Sequence, residues 1–302
     1  MRIAVLSDTV MPTPTAGGHG LGRAVFNFSR CFIERGHVVA LYGGEGSQLP
    51  GGRVDVHRDT GPNGEYQLAR RILRKTERYD AFIDAGHAHV LAQTAGDALP
   101  GLAYFEDTAS RPAPCPVYVS GVCRDIYGVD GPVVPNGIMP DEFPLYAGAR
   151  AGLLWMAVNH ERKGLSDAKW VAERVDMPLT EYGQGTENGP ISGEDKVQAL
   201  QRAAVLLFPS TCDAGPQTPL EAMACGTPCI AYYGTGAQEY VEDGVGGFVV
   251  RNREEMAARV PDALALDPAR VRASVLERGY TCARQAAQLE ALLMRVVQGE
   301  RW

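Results

Sequence analysis

AVLLFPSTCDAGPQTPLEAMACGTPCIAYY, Ala204 to Tyr233, decides the fold. Two short apolar runs, AVLLFPS and PCIAYY, flank a segment that opens on Asp, Gly and Pro and passes into helix-forming residues. Apolar run, helix and apolar run in that order make a βαβ unit, whose strands are parallel. Thr218-Pro219-Leu220-Glu221 reads as a capping box, with Thr218 at the N-cap, Pro219 at the first helical position and Glu221 at the third, worth about 1 kcal/mol. That accounts for Glu221 but not for Asp213 or the Gly215-Pro216 bend. A helix N-terminus also attracts anions, so a phosphate could share this one.

The same alternation extends in both directions. Strands are expected at Arg2–Leu6, His37–Gly43, Tyr79–Gly86, Pro116–Ser120 and Pro132–Gly137, with a helix over Ala24–Gly36. The pattern breaks near Phe143 to Gly152. It resumes with strands at Gly152–Val158, Met177–Gly183, Ala204–Ser210, Pro228–Tyr233 and Gly246–Val250, and closes on an amphipathic helix over Cys282–Val297. The fold class is therefore α/β, with two Rossmann-like domains expected at 1–145 and 146–285 and a terminal helix, 286–302. Ligands of such sheets sit beyond the carboxyl ends of the strands, so the loops there are where chemistry is sought.

Composition narrows the function. The 302 residues, 45% hydrophobic and 22% charged, suit a globular chain of two domains. A net charge of −7 offers no general attraction to nucleic acid or anionic membrane, and the basic run Arg70–Arg78 reads as a solvated helix face. MRIAVLSD is too short in its apolar core for a secretory signal, and no apolar run suits a bilayer. Seven scattered cysteines with no C-x-x-C pair suggest reduced thiols and a cytoplasmic protein. Cys225 and Cys229 have Pro228 between them and no nearby His or Cys partner, which argues against a metal there. The glycine loop TAGGHGLGRAV fails the dinucleotide fingerprint: Val25 stands where a third small residue is needed, and the turn is too long. Its amides could still approach a phosphate.

Leu207 to Val250 resembles the donor-binding core of the family 4 retaining glycosyltransferases, which have the GT-B fold, two Rossmann-like domains facing across a cleft. The family's second Glu lies in a run L-E-A-M-A-x-G-x-P, here LEAMACGTP, followed by G-x-x-E and G-x-x-G turns, here Gly236–Glu239 and Gly244–Gly247. VVPNGIMPDEF (Val133 to Phe143) is similar to its V-P-N-G-I-D segment. AGGHGLGRAVFNFSRCFIERGHVV resembles its glycine loop and first helix, and RKG (Arg162 to Gly164) and YGQG (Tyr182 to Gly185) match its K-G and G-x-G.

The resemblance implies a short enzyme that moves a sugar, a hexose or relative, from a nucleoside-diphosphate sugar, UDP-sugar foremost, to an acceptor hydroxyl. It implies that Glu221 accepts from the ribose hydroxyls and that Asp213 touches the transferred sugar. Amides of Gln217, Thr218, Pro219 and Leu220 and of the Gly17–Gly18 loop would hold sugar and diphosphate. Lys163 would neutralise the diphosphate, with Arg162 beside it, and the backbone at Pro190–Ile191 would meet the base. The resemblance also implies that the terminal helix packs back on the first domain. No other cofactor and no metal is implied. The acceptor, held by the first domain, is left open among small molecule, lipid and protein, with nucleic acid disfavoured by charge.

Three positions depart from the family. Asp213 is one methylene shorter than the expected Glu. Val158 stands in place of an Arg, whose role would fall to Arg162 or Arg23. Ala85 occupies the place of an active-site His, so His87 or His89 would serve, His87 being named with Lys163 and Asp213 as catalytic. Two rivals follow: a non-catalytic nucleotide-sugar-binding subunit, and an epimerase or phosphorylase of the same fold.

Overall fold

Apolar runs and helices in alternation fold into two parallel sheets, seen in a computed structural model that describes residues 1–14, 20–107 and 110–302. One unit comprises Met1–Asn136 with Cys282–Trp302, the other Gly137–Thr281.

The first unit runs β1 (Arg2–Ser7), α1 (Gly20–Glu34), β2 (Val38–Gly44), β3 (Arg53–His57) and α2 (Gly61–Leu73). It continues with β4 (Ala81–Ala85), α3 (Val90–Thr94), β5 (Gly101–Phe105), β6 (Pro116–Tyr118) and α4 (Gly121–Tyr127). The sheet order is β3-β2-β1-β4-β5-β6, all parallel. Strands covered on both faces are apolar throughout rather than alternating. RIAVL and AFIDA are legible for that reason, and every residue of β4 is buried.

Two strands escape the sequence reading. β3 is an edge strand bearing Arg53, Asp55 and His57, with no buried residue, so it contains no apolar run. β5 is a five-residue run that opens on Gly101 directly after Pro100. The strand expected at Pro132–Gly137 shrinks to one bridge, Tyr118 to Val133, because Pro132 and Pro135 have no N–H for a ladder.

The second unit runs β7 (Leu153–Met156), α5 (Leu165–Val175), β8 (Leu179–Tyr182), α6 (Gly193–Arg202), β9 (Val205–Phe208) and α7 (Gln217–Ala224). Then come β10 (Cys229–Tyr232), α8 (Ala237–Tyr240), β11 (Gly247–Val250), α9 (Arg253–Leu264) and α10 (Pro268–Glu277). Its sheet order is β11-β10-β9-β7-β8. The pleat divides each strand between two cores. Leu154, Met156, Leu206, Phe208 and Cys229 join Leu220 and Met223 of α7 and Val271 of α10. Leu153, Trp155, Val205, Leu207 and Ile230 join Val171 of α5 and Val260 of α9 on the opposite face.

The units divide at Asn136/Gly137, earlier than the expected boundary at 145. Ile138 and Phe143 belong to the second unit's core, the Ile138 amide donates to Tyr280 O at 3.1 Å, and Arg272 binds the carbonyls of Pro140 and Phe143. The terminal helix, α11 (Cys282–Val297), starts earlier than residue 286 and belongs to the first unit, where it packs on α1. Its Gln285, 1% exposed, donates to Tyr104 Oη (2.8 Å) and Asn136 Oδ1 (3.1 Å). Tyr104 Oη donates to the same Asn136 oxygen at 2.6 Å. The Asn of the V-P-N-G segment thus ties α11 to β5.

Each sheet reverses its order of addition once. In the first unit the chain goes from β1 outward to β3, then returns to β4 on the other side of β1; in the second it goes from β7 to β8, then returns to β9. A crevice opens at the carboxyl ends of the strands flanking such a point, where ligands of doubly wound sheets bind.

Candidate functional site

In the second unit the switch point lies between β7 and β9. The segment after β7 forms a short 3-10 turn, Glu161–Lys163, whose N-cap His160 accepts from Arg162 N through Nδ1 at 3.2 Å. Gly164 ends the turn at φ +70°, and a Cβ there would lie 2.3 Å from Pro209 O, so only glycine lets the turn sit against the end of β9. The two loops are then stitched together. Trp155 Nε1 donates to Lys163 O (3.0 Å), and Thr211 N donates to Arg162 O (2.9 Å).

This framework delivers Lys163 to Asp213. Lys163 Nζ lies 2.6 Å from Asp213 Oδ1, and Ser210 Oγ donates to Asp213 Oδ2 at 2.5 Å. The side chains are 29% and 18% exposed, so the pair is reachable from solvent. Behind it, Gly236 N donates to Asp213 O at 2.8 Å, and a Cβ on Gly236 would stand 2.0 Å from Ala214 O. The shorter acid is thereby explained: at this backbone position an aspartate already reaches both Lys163 and Ser210. Arg162 is exposed, with Nη1 at 3.6 Å from Cys212 Sγ.

The expected capping box is not formed. α7 starts at Gln217 with Pro216 as N-cap and no side-chain cap, so Thr218 and Pro219 lie inside the first turn and Glu221 in the second. The bend at Gly215-Pro216 already turns the chain into the helix, which leaves no capping task for Thr218 or Glu221. Pro219 has no N–H to offer a ligand, and the Leu220 N–H is the first to bond within the helix, to the carbonyl of the N-cap Pro216. The Glu221 carboxylate, on a residue 1% exposed, instead meets Lys196 of α6, with Nζ at 2.5 Å from Oε2. Pro190 and Ile191, just before α6, help line a cavity of about 500 Å³ together with Leu154, Thr180, Tyr182 and Gln198.

In the first unit the switch point lies between β1 and β4, and it carries carboxylates. His87, after β4, places Nδ1 2.5 Å from Asp107 Oδ2 and Nε2 3.8 Å from Asp8 Oδ2. Asp107 is held in turn by Tyr127 Oη (3.0 Å) and Ser110 Oγ (2.7 Å). Buried Glu65 of α2 accepts from His87 N (3.1 Å) and Ala88 N (2.9 Å). The hydrogen bond to Asp107 outweighs burial and, with the charges of Asp107, Asp8 and Glu65, raises the His87 pKa to about 9. His87 is a cation at neutral pH. His89, 1% exposed, has Nδ1 3.2 Å from Asp84 O and its ring 4.2 Å from that of Phe105. Burial pulls its pKa down to about 4. Of the two histidines only His87, its side chain 39% exposed, is open to a ligand.

Residues 188–278 match the family model described as "Glycosyl transferases group 1". The D-inositol 3-phosphate glycosyltransferase of Mycobacterium sp. (strain KMS) is 30% identical over 145 residues, 47% of this chain and 30% of that protein. The chain therefore aligns with less than a third of that relative's length. Among solved structures, AviGT4, a glycosyltransferase involved in avilamycin A biosynthesis, superposes with TM-score 0.82 at 22% identity, covering 100% of both chains. The fold is GT-B. Anabaena HepE, solved in complex with UDP and glucose, superposes at 0.73 with 16% identity over 97% of this chain and 99% of its own. The family model and the curated relative are those of glycosyltransferases, and the structural neighbours share the two-sheet fold.

Within this GT-B chain, Lys163, Asp213 and Arg162 come together on the loops after β7 and β9, with Gln217 opening the helix after β9. Glu221, Pro190 and Ile191 lie on or beside α6 and α7. Gly17 and Gly18 lie outside the described residues. Val158, where the family has Arg, is 53% exposed, and Arg23 lies on α1 in the other unit. Sequence reading missed Lys196 and Asp107. Lys196 and Leu200 are the buried residues of α6, four apart on one face, and a lysine on an apolar face signals a partner. Asp107 was hidden because β5, which it follows, was not recognised. Among the described residues no His/Cys/Asp/Glu group could hold a metal ion, and no helix is long and apolar enough to cross a membrane.

Proposed function

We propose that this chain is a retaining glycosyltransferase that transfers a sugar from a nucleoside-diphosphate sugar to an acceptor hydroxyl in the cytoplasm, with a UDP-sugar as co-substrate and no further cofactor. The observation that carries the reading is the Lys163–Asp213 pair, placed at the switch point of a sheet and before the first turn of α7, with Asp213 inside the segment that matches the group 1 model and Lys163 on the loop that precedes it. The transfer separates an anionic diphosphate from a sugar that becomes cation-like at its anomeric carbon. Positive charge organised in advance on the leaving group lowers that barrier. Lys163 and the amide end of α7 supply it. Pro190–Ile191 would meet the base, Asp213 the sugar and Glu221 the ribose.

The acceptor falls to the first unit, where Asp8, Glu65 and Asp107 surround His87. A histidine that is already protonated donates hydrogen bonds and cannot take the acceptor's proton at neutral pH. That favours front-face attack, in which the leaving phosphate takes the proton. Exposed Val158 in place of a cation supports the rival reading of a non-catalytic donor-binding subunit. A thermal-shift series with UDP-, GDP-, ADP- and dTDP-sugars, followed by turnover of the best donor with candidate acceptors, tests both. We expect the largest shift from a UDP-sugar and a product that keeps the donor's anomeric configuration. Binding without turnover would favour the binding subunit, and no shift from any donor would refute both.

A further inference from the structure

The donor reading assigns the ribose to Glu221 and leaves Lys196 without a task. Lys196 is the fourth residue of α6 and 9% exposed, and its ammonium lies 2.5 Å from a carboxylate on a residue 1% exposed. A buried ion pair rarely improves on apolar side chains of the same volume, so packing alone is a weak reason for two charges between α6 and α7. Their position suggests another. α6 follows directly on Pro190–Ile191, and α7 carries Glu221 one turn beyond the amides assigned to the diphosphate. The pair thus joins the helix next to the base segment to the helix next to the diphosphate segment, and the ribose is the part of a nucleotide between base and diphosphate. A carboxylate suits a vicinal diol, since each hydroxyl can donate to one of its oxygens. A glutamate has three side-chain torsions and keeps a single geometry only if something holds it.

We propose that Lys196 is a positioning residue for the nucleotide: it holds the Glu221 carboxylate so that the site selects a ribose bearing both hydroxyls. The proposal rests on the nucleotide-sugar reading above, and its test separates the two. Dissociation constants are measured by calorimetry for whichever of UDP, GDP and ADP binds wild type most tightly and for its 2′,3′-dideoxy counterpart. Wild type is expected to prefer the ribonucleotide by at least about tenfold, the strength of a hydrogen bond to a charged group. Lys196→Met should reduce that preference to within about twofold, whereas Lys196→Arg, which keeps the charge, should largely restore it. Should Lys196→Met fail to fold, Lys196→Gln is read in the same way. If none of the three diphosphates binds wild type, the nucleotide-sugar reading fails. If one binds and wild type shows no ribose preference, or the preference survives in the Met or Gln variant, the role given to Lys196 is overturned.

Discussion

Lys163→Met removes the cation assigned to the diphosphate while keeping an unbranched chain of similar length. Two unit charges 4 Å apart interact by about 4 kcal/mol at the effective dielectric of a protein surface. Lys163 is 29% exposed and already neutralises Asp213, so roughly half of that remains for a ligand. About 2 kcal/mol corresponds to roughly thirtyfold in Kd. Binding of UDP, or of whichever diphosphate binds best, should therefore weaken by that factor, and binding of the matching nucleoside, which has no diphosphate, should not change. Release of diphosphate from the donor sugar, followed as slow hydrolysis without acceptor, should fall by about 10² to 10³. Stability should change little, because a part-exposed pair contributes about 0.2–1 kcal/mol and Asp213 keeps its bond to Ser210. Calorimetry of the two ligands with a melting curve of each variant makes the test. Diphosphate binding within threefold of wild type, or nucleoside binding weakened equally, would refute the charge-neutralising role.

Two further outcomes follow from pairs that the fold assembles. Glu221→Ala strands Lys196 in a buried position and should cost about 3–5 kcal/mol in urea unfolding; a cost of about 1 kcal/mol or less would mean that the Lys196 pair contributes nothing. His87 has its pKa raised to about 9, so the stability it adds is fully present below pH 6.5 and is lost as pH rises through 9. The stability difference between wild type and His87→Gln should therefore be largest near pH 6 and vanish above about pH 10; a difference that grows with pH would contradict the Asp107 pairing.

The legible parts of the chain were those governed by local pattern. Buried parallel strands such as RIAVL and AVLLF appear as continuous apolar runs, and Gly164 and Gly236 lie in motifs because the backbone passes too close for any Cβ. Asp213 stood out because it follows a strand and the helix cap left it unexplained, whereas Lys163, Pro190 and Ile191 were singled out by the family resemblance. The illegible parts were governed by position in the sheet. β3 sits at an edge and needs no apolar run, and β5 hides behind a proline, taking Asp107 with it.

The alternation, the parallel sheets and the loops that bear chemistry could be read from the residues alone, because period and residue type act within a few positions of the chain. Which groups meet was decided only by tertiary structure. Glu221 reads locally as a capping residue, yet its charge is answered by Lys196 from another helix. Asp213 reads as a shortened glutamate, yet the approach of the β7 and β9 loops puts it within reach of both Lys163 and Ser210. Charge pairing depends on distances of a few ångströms between segments that lie tens of residues apart, and a local pattern carries no record of such distances.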